Sequence, residues 1–269
     1  MRLSLALLIV VLIAFGCSDQ GADHKEFQTR SVTVNGTEYK YRIYVPQNHD
    51  PTVKIPVMLF LHGSGVRGND NQSQIAGVSE FIRNRDGAIP FIIVVPQCRE
   101  GGAWSGENNE QALKALDAAI KEFNGDENSL YLAGYSMGGN GAWQNGLVHA
   151  GKFAALVPIA GEVAPRRELP PGMLESLPPK LREAATSPDP YKFFAEGIGN
   201  AAVWVFHGSN DQAVPVTESR KIVEALRNAG NPNVNYTEFE NVGHDSLSRA
   251  LGEPKLIEWL SSQRLNSVK

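Results

Sequence analysis

The stretch SLYLAGYSMGGNGAW, residues 129–143, decides how this chain is read, because four glycines crowd around one serine, Ser136. The run Leu130 to Gly134 has the apolar, β-rich character of a strand, and Gly139 to His149 reads as a helix, so Ser136 falls at the turn between them. That is the context a G-x-S-x-G motif requires, here Gly134, Ser136 and Gly138. Glycines on either side keep side chains from colliding as the chain reverses, and the serine hydroxyl is held out above the sheet edge. The N–H of Met137 opens the helix and can donate to a developing negative charge. Read without chemistry, the same stretch is a glycine-rich strand-to-helix turn with an incidental serine.

Working outward, apolar strand-like runs alternate with helical ones. IPVMLFLH, PFIIVVPQ, SLYLAG, FAALVPIAG, AAVWVFHG and VNYTEFE read as strands; NEQALKALDAAIKEF, the segment after Ser136, VTESRKIVEALRNAG and KLIEWLSSQ carry apolar residues at helical spacing. Strands apolar throughout and alternating with helices imply a mostly parallel sheet covered on both faces, the α/β class. Asn35-Gly36, between two β-rich runs, marks an antiparallel hairpin at its start. In such sheets a site forms outside the carboxyl ends of the strands.

A serine hydroxyl is a poor nucleophile until a base takes its proton, and the base needs an acid to hold its tautomer. Asp211 follows AAVWVFHG and His244 follows VNYTEFE, each in the loop after a strand. The order serine, aspartate, histidine is that of α/β-hydrolases. Ser64, in LFLHGSG after the third strand, offers an N–H that can join that of Met137 as a second oxyanion donor. Glu162, just past FAALVPIAG, is the competing acid. His62 and His207 are read as loop-shaping residues, Asp245 as a solvated neighbour of His244, Trp104 as a possible wall of a substrate pocket, and Trp143, Trp204 and Trp259 as packing.

The chain of 269 residues is long enough for one substantial core. Hydrophobic content of 42%, charged content of 20% and a net charge of −4 are globular values and give no electrostatic reason to expect nucleic acid. The opening MRLSLALLIVVLIAFGC has a basic residue and an apolar run too short for a comfortable membrane span, which reads as a secretory signal over 1–17. Gly16 before Cys17 resembles the lipobox of bacterial lipoproteins, so Cys17 is a candidate lipidation site; a plain signal and an uncleaved anchor stand beside it. All three readings export the protein, to the periplasm or cell surface. Residues 18–27 read as a tether and 28–265 as the folded domain. Lipidation of Cys17 would leave Cys98 as a packed free thiol, with no disulfide framework and no zinc site from the two cysteines. The proline- and charge-rich segment 162–200 breaks the rhythm, and its place suits a cap-like insertion over the site.

The segments YRIYVP, PVMLFLHGSGVRGNDN, VVPQC, YLAGYSMGGNGAW, FAALVPIAG, VWVFHGSNDQAVPV, YTEFENVGHDS and EWLSSQ together resemble the phospholipase/carboxylesterase and polyhydroxybutyrate-depolymerase-like α/β-hydrolases, in their predicted-peptidase branch, with dienelactone-hydrolase and prolyl-oligopeptidase relatives. The resemblance implies an α/β-hydrolase fold with an eight-stranded, mostly parallel sheet. It implies a serine esterase with Ser136 as nucleophile, Asp211 as acid, His244 as base, and the Ser64 and Met137 N–H groups as oxyanion donors. No metal or organic cofactor is needed, and the expected partner is a small-molecule or polymer-linked ester. Two alternatives stay open: a serine peptidase of small peptides, and a surface binding protein with a vestigial triad. Prolyl oligopeptidases share the triad but add a propeller domain for which the chain has little room. Acyl preference, physiological substrate and oligomeric state are not written in these motifs.

Overall fold

A computed structural model describes residues 26–85, 88–163 and 172–265. The leader, Cys17 and most of the tether therefore lie outside the described residues. Eight strands form one sheet: β1 (Phe27–Val34), β2 (Thr37–Tyr44), β3 (Ile55–Leu61), β4 (Ile92–Pro96), β5 (Gly125–Tyr135), β6 (Ala155–Ile159), β7 (Ala202–Gly208) and β8 (Val234–Phe239). Their order across the sheet is β1-β2-β4-β3-β5-β6-β7-β8. β1 and β2 pair antiparallel, with Val34 opposite Thr37, and β2 joins β4 antiparallel. The hairpin turn places Asn35 at φ 47° and Gly36 at φ 79°. Two successive positive φ values make a type I′ turn, whose twist matches that of the flanking strands. Every pairing from β4 to β8 is parallel.

Alternation along the central strands assigns side chains to two cores. Val57, Leu59 and Leu61 of β3 point to one face, where they meet Ala112 and Leu116 of α2 (Gly106–Glu122) and Trp143 of α3 (Met137–Val148). Met58 and Phe60 point to the other, toward Val78 and Phe81 of α1 (Ala76–Arg83) and Leu256 and Leu260 of α9 (Leu256–Ser262). Strands buried on both faces read as unbroken apolar runs, which is why the sequence marked them. The expected strands and the four expected helical runs all form. Helix α1 was not among them; its eight residues follow a polar loop and give too short a period to stand out.

Between β6 and β7 the described residues form α4 (Met173–Ser176), α5 (Pro179–Thr186) and α6 (Pro190–Ile198). Leu181, Ala184, Phe194 and Ile198 join the core on the α3 side, beside Leu147 and Ile222 of α7 (Thr217–Asn228). This part of the insertion thus belongs to the helical layer, and its remainder, 164–171, lies outside the described residues. A short helix, α8 (Leu247–Leu251), precedes α9.

Candidate active site

Because the sheet is parallel from β4 onward, the carboxyl ends of β3, β5, β7 and β8 share one edge, and the loops after them bring Ser64, Ser136, Asp211 and His244 to it. Ser136 leaves β5 with φ 55° and ψ −115°, a left-handed value that an L residue adopts only under constraint. The constraint is visible on both sides. Its N–H donates to the Ile159 carbonyl at 2.8 Å, and its carbonyl accepts from the Asn140 N–H at 3.0 Å. A Cβ on Gly134 would overlap the Gly138 carbonyl, and one on Gly138 would overlap the Leu61 carbonyl. Both glycines are there because backbone passes where a side chain would stand.

His244 Nε2 lies 2.8 Å from Ser136 Oγ, and its Nδ1 lies 2.7 Å from Asp211 Oδ2. The three residues picked from sequence are therefore linked by hydrogen bonds in the order the chemistry needs. Asp211 has no solvent-exposed side-chain surface, while His244 keeps 28%. Burial alone pushes the Asp211 carboxyl up, but the bond from His244 and the N–H groups of Val214 and Ala213 outweigh it and hold the carboxyl below its ordinary value. Glu162 is not the partner of His244: its backbone carbonyl accepts from Asn140 Nδ2 at 2.9 Å, and the residue lines a separate cleft of about 930 Å³ beside α6 and α7. Asp245 is exposed, as expected of a solvated neighbour.

His207 is fully buried. Its Nε2 lies 3.0 Å from the Val214 carbonyl and 3.2 Å from Asp211 Oδ2, and its Nδ1 lies 2.6 Å from Ser219 Oγ. Two acceptors at Nε2 assign the proton to that nitrogen. Burial lowers its affinity for a second proton, so it stands as a neutral donor behind the aspartate. Tyr135 braces the base: its hydroxyl donates to the His244 carbonyl at 3.0 Å and its ring lies 5.3 Å from the imidazole.

On the oxyanion side Met137 begins α3, and Ser64 begins a 3-10 turn, Ser64–Val66, after Gly63. Among the described residues neither N–H is taken by an internal acceptor. The turn rests on His62, 2% exposed, whose Nε2 accepts from the Cys98 N–H at 3.0 Å and whose Nδ1–H donates to the Gly63 carbonyl at 2.7 Å. Trp104 does not wall an open pocket. It is 3% exposed, its ring meets that of His62 edge-on, and its indole N–H donates to the His62 carbonyl at 2.9 Å. An indole with a buried carbonyl in reach fits best inside, and no signal in the sequence separates that from a pocket wall.

Burial pushes His62 down to about 4. An unfolded histidine titrates near 6.5, so between those values the unfolded chain binds a proton that the folded chain refuses, and stability falls as pH drops. With each unit worth about 1.4 kcal/mol, His62 alone accounts for a loss of about 2 to 3 kcal/mol between pH 6.5 and 4.5, and buried His207 adds to it in the same direction. Urea unfolding at pH 7.5 and 4.5 should show the drop, and His62→Gln should flatten it; equal stability at both values would exclude a buried neutral imidazole.

A family model described as the prolyl oligopeptidase family matches residues 101–261. An uncharacterized secreted protein of Arthroderma benhamiae is 25% identical over 208 residues, covering 73% of this chain and 22% of that protein. A bifunctional acetylxylan esterase/xylanase of Neocallimastix patriciarum is 30% identical over 123 residues, covering 44% of this chain and 17% of that protein. The chain thus spans about a fifth of the length of these curated relatives. Among solved structures a thermostable esterase superposes with a TM-score of 0.71 at 29% identity, over 89% of this chain and 63% of that one.

Proposed function

Since the chain belongs to the prolyl oligopeptidase family of α/β-hydrolases, we propose that it is an exported serine carboxylic ester hydrolase working through an acyl-enzyme. The observation that carries the reading is the hydrogen-bonded chain from Ser136 Oγ through His244 to Asp211, at 2.8 and 2.7 Å. In this reaction His244 Nε2 takes the Ser136 proton as Oγ attacks the ester carbonyl. The N–H groups of Met137 and Ser64 receive the oxyanion, and the imidazolium returns the proton to the leaving alkoxide. Water, deprotonated by the same imidazole, then releases the acid and restores Ser136. Neutral His207 keeps Asp211 pointed at His244 and adds no competing charge.

Export rests on the signal-like residues 1–17, and a lipid anchor on Cys17 after Gly16. A Cys17→Ser protein that still partitions into the detergent phase would end the anchor reading. Ester substrates are favoured by the likeness to a solved esterase and to an acetylxylan esterase, while the family description favours peptide substrates. The protein without residues 1–17 should be offered p-nitrophenyl acyl esters, feruloyl esters and aminoacyl-p-nitroanilides. Turnover of esters is expected; turnover of anilides alone would establish the peptidase reading instead, and silence with both would sink the enzyme.

A further inference from the structure

Arg67 closes the 3-10 turn that begins at Ser64, its N–H reaching the Ser64 carbonyl at 3.4 Å. Its guanidinium Nη2 lies 3.0 Å from Met137 Sδ, so the cation stands beside one of the two residues whose N–H groups form the candidate oxyanion site, while its backbone is tied to the other. What surrounds it is poor in acceptors. A thioether is a weak acceptor, and the Cys98 thiol, pushed up to about 11 by burial, carries no charge. Nε is sealed from solvent with no hydrogen-bond partner. Among the described residues no carboxylate lies within ion-pair distance. Asp70, the nearest acid in sequence, is already committed to the N–H groups of Gln72 and Ser73 and to Gln97 Nε2.

Arg67 is half-buried, and a guanidinium without a carboxylate partner beside the nucleophile keeps donors that an anion arriving from solvent can satisfy. A planar fork of N–H donors is matched in shape and charge by a carboxylate. We infer that Arg67 is a specificity-determining residue that binds a carboxylate carried by the substrate, so the preferred ester is an anionic one. The inference rests on Ser136 being the nucleophile, since the cation is placed against Met137, the next residue in the chain. The ester bond to be cut then lies within one short linker of the acid group, as in a half-ester of a dicarboxylic acid.

Kinetics on two size-matched esters test this: mono-p-nitrophenyl succinate, which is anionic, and p-nitrophenyl butyrate, which is neutral. The wild type should favour the succinate by tenfold or more in kcat/KM. Arg67→Met should lower the ratio of the two at least tenfold, chiefly through KM of the anionic ester, and Arg67→Lys should recover part of it. A ratio unchanged by Arg67→Met overturns the proposal, as does an equal loss on both esters, which would make Arg67 a support of the oxyanion loop. Binding of monomethyl succinate to Ser136→Ala, by calorimetry with and without Arg67→Met, reads the same contact without turnover. A wild type that binds through Arg67 yet hydrolyses neither ester would retain this inference and sink the esterase; a wild type that hydrolyses both with no charge preference would do the reverse. Should Arg67→Met lower Tm enough to cloud the comparison, Arg67→Gln at a lower temperature keeps the ratio measurable.

Discussion

Replacing Ser136 by alanine should lower kcat for ester hydrolysis by about 10⁴-fold or more and abolish labelling by a fluorophosphonate probe, with Tm close to that of the wild type. The substitution removes one atom, Oγ, that sits 2.8 Å from His244 Nε2, and keeps the Cβ. Backbone strain at φ 55° is common to both residues, so the elbow itself is not relieved or worsened. The hydroxyl faces a partly exposed imidazole, which water can serve in its absence. Residual rate in such variants comes from the oxyanion donors and from binding, which still orient substrate toward solvent water. Retained hydrolysis with unchanged KM would move the nucleophile elsewhere. Retained labelling would do so more directly, since the probe reports only on an activated nucleophile.

Ser136, Asp211 and His244 were legible in the sequence because each stands just past a strand, and because strands buried on both faces leave unbroken apolar runs. Once the sheet is parallel, being just past a strand is the same as being on one edge. Contacts set by register were not legible. His207 stands near the end of β7 and Asp211 in the loop after it, yet only the path of that loop brings the carboxylate to 3.2 Å from Nε2. Tyr135 meets the carbonyl of His244 across 109 positions, a pairing with no local signature. Trp104 read equally well as pocket or core until its N–H was seen to close on His62. Between Glu162 and Asp211 the sequence put two acids forward, and the 2.7 Å bond from His244 Nδ1 favours the choice of Asp211.

That choice can be made again in solution, because Asp211→Asn should lower kcat by about 10² to 10⁴-fold while leaving the fold in place. Oδ1 of Asp211 accepts from the N–H groups of Ala213 and Val214, at 2.8 and 2.9 Å. An asparagine would keep its oxygen there and turn its NH₂ toward His244. The imidazole would then have to accept at Nδ1, which moves its proton to Nε2 and leaves nothing to take the proton of Ser136. Buried His207, donating from Nε2 toward the same position, would face a donor as well. A donor-to-donor contact in a dry site also costs stability at neutral pH. The sign of the pH effect follows from the lowered Asp211 value: its contribution is present above the unfolded carboxyl value, near 4, and is lost as pH falls through the folded one. The Tm gap between wild type and Asp211→Asn should therefore be widest near neutrality and close in acid. If Asp211→Asn kept full rate and Glu162→Gln lost it, the acid would be Glu162, and the Asp211 loop would serve only to hold His207.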